Sequence, residues 1–239
     1  MNYAVIFAGG TGTRMNTKTR PKQFLKLHGK EIIIYTLEHF ENHPDINGIS
    51  VVCIEGWIEY LKKLIKKYQL TKVKWVSPGG ATGQESIFNG LNVMRGEIDE
   101  ESIVLIHDGV RPIIDEELIT QNIETAKEKG SAVTVVPATE TVMVVNENNE
   151  LVESVDRGSC RFARAPQTYI YKDILSAHDH AREQGINNIV DSATMMQREG
   201  YKLYPVVGKP ENIKITTPSD YYTFRAIVEA EENSQILGF

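Results

Sequence analysis

The 239-residue sequence has only two cysteines, Cys53 and Cys160, too far apart for the paired spacings of a zinc site or a redox motif. That excludes a disulfide scaffold, and reduced thiols in a cytoplasm are the expectation. No apolar run approaches the roughly 20 residues that cross a bilayer. The start, a strand-like run from Tyr3 to Ala8 followed by glycines, lacks the basic n-region and cleavage site of an export signal. Positive charge is not in excess either. A net charge of -6 gives no general attraction to nucleic acid or to an anionic membrane, so any polyanionic ligand is left to a few placed lysines and arginines. Internal repeats, low-complexity tracts and linkers are missing too, and one α/β domain spanning 1–239 is expected.

What is present is a rhythm. Short β-branched runs (Ala4 to Phe7, Ile49 to Ile54, Val73 to Val76, Ile103 to Ile106) alternate with amphipathic stretches (Ile32 to Phe40, Trp57 to Tyr68, Ser86 to Met94). This predicts β-α-β units and a doubly wound, mostly parallel sheet through about residue 137. Beyond Ser131 the runs crowd together: Ala132 to Val136, Thr141 to Val145 and Leu151 to Val155, the last two joined by the polar turn Asn146-Glu147-Asn148-Asn149. They read as a hairpin or extended arm at about 138–165, a shape that often pairs with a second subunit. Helices are expected over Lys172 to Gln184, over Asp191 to Glu199 and after Thr217-Pro218-Ser219-Asp220, with strand-like segments at Lys202 to Val207 and Asn212 to Thr216.

Chemistry concentrates where the first strand ends, at Ala8-Gly9-Gly10-Thr11-Gly12-Thr13-Arg14-Met15. Glycines there let backbone N–H groups surround phosphate oxygens, although a tight structural turn explains the glycines equally well. Met15 stands where a dinucleotide fingerprint needs glycine, and the Lys-Ser/Thr ending of a P-loop is absent. Instead a second basic element follows, Arg20-Pro21-Lys22-Gln23-Phe24. Arg14 and Lys22 thus share one loop at the carboxyl edge of the sheet, where two cations suit the charge of phosphoryl transfer.

His107-Asp108-Gly109-Val110-Arg111-Pro112 ends another core strand. Asp108 is the metal candidate, since magnesium takes one or two carboxylates plus substrate oxygens; a turn cap is its bland alternative. Arg111 reads equally as a structural ion-pair partner, and His107 as structural. In Glu211-Asn212-Ile213-Lys214-Ile215-Thr216 a single lysine sits in an apolar strand-like run. It is either a third cleft cation or an outward strand residue.

In this order, Ala8-Gly9-Gly10-x-Gly12-x-Arg14-Met15, Pro21-Lys22-Gln23, His107-Asp108-x-x-Arg111-Pro112, Pro166-Gln167 and Asn212-Ile213-Lys214-Ile215-Thr216 resemble the cytidylyltransferase family of the methylerythritol-phosphate and ribitol-5-phosphate enzymes. The resemblance covers essentially the whole chain. It implies a Rossmann-like nucleotidyltransferase fold, a loop (Ala8, Gly9, Gly10, Thr11, Gly12, Thr13) that wraps the CTP phosphates, and Arg14, Lys22 and Lys214 as the phosphate-stabilising cations. It also implies that Gly79, Gly80, Ala81 and Ser86 hold cytosine and ribose, that Asp108 serves a required magnesium and the acceptor, and that Arg111 serves the acceptor. Family members are homodimers with crossing arms, which makes Thr141 and Arg157 acceptor contacts supplied by the partner subunit.

The departures matter for the substrates. Met143 and Glu140 replace the lysine and aspartate of an Asp-Thr-x-Lys run usual in the isoprenoid enzymes. Gly83 stands where arginine is usual in the Gly-Gly-x-x-Arg segment that would hold the nucleotide, and Ala165 and Val190 replace threonines, so the acceptor pocket is expected to differ from that of both well-known members. The expectation is therefore CTP-dependent conversion of a small polyol phosphate, ribitol 5-phosphate ahead of methylerythritol phosphate, to CDP-polyol and pyrophosphate. The ribitol product would feed cell-surface polymers. Two other readings stay open: a non-catalytic nucleotide-binding module, and a sugar-1-phosphate nucleotidyltransferase using UTP or GTP.

Overall fold

The computed structural model describes residues 1–10 and 20–237, side chains from 235 onward excepted. Its framework is a seven-stranded sheet. The strands are β1 (Asn2–Ala8), β4 (Gly48–Cys53), β5 (Val73–Pro78), β6 (Ile103–Asp108), β7 (Ser131–Pro137), β10 (Arg161–Ile170) and β11 (Pro205–Val207). Two small antiparallel pairs stand apart from it, β2 (Lys26–Leu27) with β3 (Lys30–Glu31), and β8 (Val142–Val145) with β9 (Leu151–Val155). The helices are α1 (Ile32–Asn42), α2 (Ile58–Lys67), α3 (Gly83–Asn92), α4 (Glu116–Lys129), α5 (Tyr171–Glu183), α6 (Ser192–Arg198) and α7 (Pro218–Leu237).

Strand order is β11-β7-β10-β6-β1-β4-β5, parallel throughout except for β10, which runs antiparallel to both neighbours. That one reversal matters for the site. The parallel strands β1, β5 and β6 bring their C-terminal ends to one edge, and β10 brings its N-terminal half to the same edge. The alternation of side chains along a strand divides the core into two layers. Ala4 and Ile6 of β1 pack with Ile33, Leu37, Phe40, Leu61, Ile119 and Ile123, whereas Tyr3 and Val5 pack with Ile87, Leu91, Tyr171, Ile174 and Met195. Helices α1, α2 and α4 therefore cover one face and α3, α5 and α6 the other, as a doubly wound sheet requires.

Several expectations change. α4 and β10 lie in stretches whose local pattern announced neither. α4 is delimited by Asp115, whose carboxylate accepts from Leu118 N at 2.9 Å, and by Gly130 at φ 86°. β10 pairs with β7 from Arg161 onward, so of the segment expected as an arm only residues 138–160 lie outside the large sheet. The strand expected over Asn212 to Thr216 is not one. This irregular segment is bolted down by Ile215 N to Val110 O (2.9 Å) and by Asp220, whose Oδ2 accepts from Thr216 N, Thr216 Oγ1 and Thr217 N. Of Lys202 to Val207, only Pro205–Val207 pairs.

Candidate active site

Two adjoining cavities open at the C-terminal edge of the sheet, of about 330 Å³ and about 260 Å³. The larger is lined by Ala8, Gly9, Gly10, Lys22, Gly80, Ala81 and Ser86. The smaller lies toward β10 and α6, and Phe7, Gly83, Asp108 and Lys214 line both. Sequence motifs separated by two hundred residues thus share one cleft. Thr11, Gly12, Thr13 and Arg14 lie outside the described residues.

The larger cavity has a backbone floor. A Cβ on Gly9 would stand 3.0 Å from Gly79 Cα and 2.9 Å from Ser86 Oγ, so glycine at 9 and 79 is what lets the ends of β1 and β5 approach this closely. Gln23, only 1% exposed, donates from Nε2 to Ala8 O (2.6 Å) and Gly10 O (3.3 Å), tying the glycine loop to the short turn that carries Lys22. The N–H groups of Gly79, Gly80 and Ala81 are engaged by Cys53 O (2.8 Å), Ser86 Oγ (3.0 Å) and Glu85 Oε2 (2.7 Å). Glu85 N in turn donates to Thr82 Oγ1 at 3.1 Å, an N-cap at the start of α3. Ser86 therefore shapes the loop as well as lining it.

Asp108 is the hinge between the cavities. Its Oδ1 lies 2.5 Å from Lys214 Nζ and its Oδ2 3.2 Å from Arg111 Nε. Arg111 Nη1 also donates to Asn212 O (2.7 Å), and Asn212 Nδ2 to Ala165 O (2.8 Å), so the segment carrying Lys214 is held to β6 and β10. Both open readings resolve: Lys214 points into the cleft, and Arg111 is a structural pair partner that also lines the smaller cavity. Burial alone would raise the Asp108 pKa, but Lys214 and Arg111 outweigh it and hold the carboxyl at about 2. Among the described residues no group of three or more His, Cys, Asp or Glu stands together to hold a metal. One ionised carboxylate facing both cavities would suit magnesium as an ion that takes most of its ligands from phosphate and water.

His107 is structural as expected, fully buried with Nε2 donating to Arg111 O at 3.0 Å. Burial pushes it down to about 4, and does the same to His178 beside the smaller cavity. These histidines stay neutral in the fold and charge in the unfolded chain. Their contribution is intact above the ordinary histidine pKa near 6.5 and is lost as pH falls from there toward 4, by roughly 3 kcal/mol each at most. Denaturant unfolding between pH 7 and 4.5 is expected to record that decline. His178→Phe should flatten it, and an equal slope in the variant would remove His178 as its source.

The smaller cavity holds residues with no role assigned from the sequence, Gln167 among them although it lies in the Pro166-Gln167 motif. Gln84 clamps the segment before α6, with Nε2 on Ile186 O (2.7 Å) and Oε1 accepting from Ile189 N (3.0 Å). Gln167 bridges β10 to α6, with Nε2 on Asp191 Oδ2 (3.0 Å) and Oε1 accepting from Ala193 N (2.9 Å). Arg164 enters from β10. Thr141 and Arg157 are not gathered here. Both are exposed in or beside the β8-β9 hairpin, and Arg157 Nη1 donates to Thr139 O at 3.0 Å.

The description "IspD: 2-C-methyl-D-erythritol 4-phosphate cytidylyltransferase" matches residues 2–230. The chain is 52% identical over 239 residues, covering 100% of both chains, to a ribitol-5-phosphate cytidylyltransferase of Vibrio parahaemolyticus serotype O3:K6. It is 35% identical over 230 residues, 96% of this chain and 98% of the other, to a 2-C-methyl-D-erythritol 4-phosphate cytidylyltransferase of Clostridium acetobutylicum. In fold it is similar to the crystal structure of 4-diphosphocytidyl-2C-methyl-D-erythritol synthase from Anaerococcus prevotii, with a TM-score of 0.82 at 24% identity over 95% of this chain and 96% of that one.

Proposed function

This chain belongs to the 2-C-methyl-D-erythritol 4-phosphate cytidylyltransferase family, and from that premise we propose that it joins CTP to D-ribitol 5-phosphate, giving CDP-ribitol and pyrophosphate. It is a nucleotidyltransferase. The observation that carries the choice of acceptor is the 52% identity, end to end, to a ribitol-5-phosphate cytidylyltransferase, against 35% to a methylerythritol-phosphate enzyme. Met143 and Glu140 are also departures from the isoprenoid pattern, whereas Ala165 and Val190, which line the smaller cavity, set it apart from both well-known members.

In this reading CTP takes the larger cavity and the polyol phosphate the smaller, and they meet at Asp108 and Lys214. A phosphate oxygen of the acceptor attacks the α-phosphorus. The bond to the bridging oxygen breaks in line, and its electron pair leaves with pyrophosphate. A phosphate dianion needs no general base, so the protein's task is positioning and charge neutralisation. Lys22 from the glycine-loop side and Lys214 from the far side, with Arg14, oppose the charge that grows on the α-phosphate. Asp108 orients Lys214 and would hold a magnesium ion carried in by the triphosphate, whose chemistry is to neutralise phosphate charge. Ser86 and the Gly79 to Ala81 loop shape the base pocket.

Val145, Leu151, Val152 and Phe162 are exposed apolar residues on the hairpin and the start of β10, which suits coverage by a second copy of the chain. A homodimer would deliver Thr141 and Arg157 to the partner's acceptor site, with 1–239 acting as one domain and the hairpin as its arm. No described helix is long and apolar enough to cross a membrane. Substrates that are small soluble phosphates fit a cytoplasmic reaction.

Pyrophosphate release in the presence of magnesium tests the assignment. CTP with D-ribitol 5-phosphate is expected to turn over far faster than CTP with methylerythritol 4-phosphate, and UTP or GTP should support little. Turnover confined to methylerythritol phosphate would overturn the acceptor, and no nucleotide preference would overturn CTP.

A further inference from the structure

Among the described residues Arg164 is a cation without a counterion. It lines the smaller cavity, and its Nε is buried with no hydrogen-bond partner among those residues. Two carboxylates also line that cavity, and both are committed. Asp108 holds Lys214 and Arg111, while Asp191 caps α6 through Thr194 N (2.8 Å) and accepts from Gln167 Nε2 (3.0 Å). Among the described residues no ion pair reaches Arg164. Burial and the neighbouring Arg111 charge both act against its protonated form, a cost with no return inside the free protein.

Its position is set by the fold. β10 is the one antiparallel strand of the sheet, so its first half reaches the edge where β6 delivers Asp108. The pairing of β10 slips between Ala163 and Gln167, next to this residue. The larger cavity, bounded by the glycine loop and Lys22, is not lined by Arg164. Whatever satisfies the guanidinium enters by the acceptor side.

We propose that Arg164 binds the phosphate group of the acceptor, sharing it with Arg111 and holding it for attack. A planar guanidinium fork matches two phosphate oxygens, and a dianion is the ligand that two adjacent arginines can both gain from. The consequence is that the same chain itself contributes to selecting phosphorylated polyols over free polyols. This rests on the reading of the smaller cavity as the acceptor site.

Arg164→Gln is the test, with Arg164→Lys beside it. Charge-assisted hydrogen bonds of this kind contribute about 1.5–3 kcal/mol, so the glutamine variant should raise the KM for ribitol 5-phosphate roughly 10- to 100-fold while the KM for CTP stays within about twofold. Lysine should recover part of the loss. The melting temperature should hold or rise in Arg164→Gln, because an uncompensated charge is removed. An unchanged acceptor KM, or a loss shared equally with CTP, would overturn the proposal. Wild-type protein that turns over no polyol phosphate would instead sink the functional reading. Arg164 is then judged by calorimetric titration of inorganic phosphate into CTP-saturated protein. Weaker phosphate binding in Arg164→Gln supports the site, and equal binding in both proteins refutes it.

Discussion

Lys22→Ala is expected to lower kcat by roughly 10²- to 10³-fold, the usual cost of losing one preorganised group that opposes transition-state charge. The variant should still fold. Lys22 is only partly buried, and the short turn it begins is held by its neighbours: Gln23 hydrogen-bonds to the glycine loop, and Phe24 stacks on Trp57 with ring centroids 4.8 Å apart. Pyrophosphate release at saturating CTP and acceptor, paired with a thermal melt, separates the two effects. A matched fall in kcat and kcat/KM with an unaltered melt marks a group that acts on the transition state. Turnover at the wild-type rate removes Lys22 from the mechanism. Gln23→Ala offers the contrast. It touches no reacting atom, but it releases Ala8 O and Gly10 O, so its defect should appear in CTP KM as well as in kcat.

That pair of residues also marks what the sequence made readable. Lys22 was legible because a basic residue following a glycine-rich strand end is a recognisable local pattern. Gln23 was legible only as part of a motif, since its role depends on a carbonyl fifteen residues earlier. The parallel half of the sheet was readable because β1, β4 and β6 are continuous apolar runs buried almost throughout, while the edge strand β5 keeps β-branched residues at Val73 and Val76. β10 was not, because Arg161-Phe162-Ala163-Arg164-Ala165-Pro166 has little strand propensity of its own and becomes a strand by pairing with β6 and β7. Lys214 was placed on a strand because Ile213 and Ile215 alternate with polar residues. In the fold that alternation serves an irregular segment pinned by Val110 O and Asp220. Arg164 had no signal at all. A missing counterion is a fact about neighbours from other elements, which one chain read in order does not display.

Asp108→Asn is expected to do more damage than any single cation change, because one carboxylate compensates two cations. The substitution keeps the shape and removes the charge. Arg111 would remain almost wholly buried, its side chain 7% exposed, with no carboxylate beside it. Leaving one member of a buried pair uncompensated costs about 3–5 kcal/mol, so a loss of that size is expected in denaturant unfolding at pH 7. Lys214→Met should cost far less, since the Lys214 side chain is 39% exposed and solvent screens much of its pairing. The pH dependence identifies the cause. The Asp108 pKa is depressed to about 2 in the fold, so its contribution is complete above the ordinary carboxyl value near 3.8 and disappears as pH falls through 2. The stability gap between wild type and Asp108→Asn should therefore be constant from pH 7 to about 4.5 and narrow below that. A gap that persists unchanged at pH 3 would mean that the asparagine fails for steric reasons and that the charge is incidental. Turnover adds the last discrimination. With Asp108 neutral, Lys214 loses the anchor that aims it between the cavities, so activity should collapse at pH 7 even where denaturant curves show the variant still folded. Lys214→Met should lose activity too while remaining stable. That combination separates a cation needed for chemistry from a carboxylate needed for both chemistry and fold.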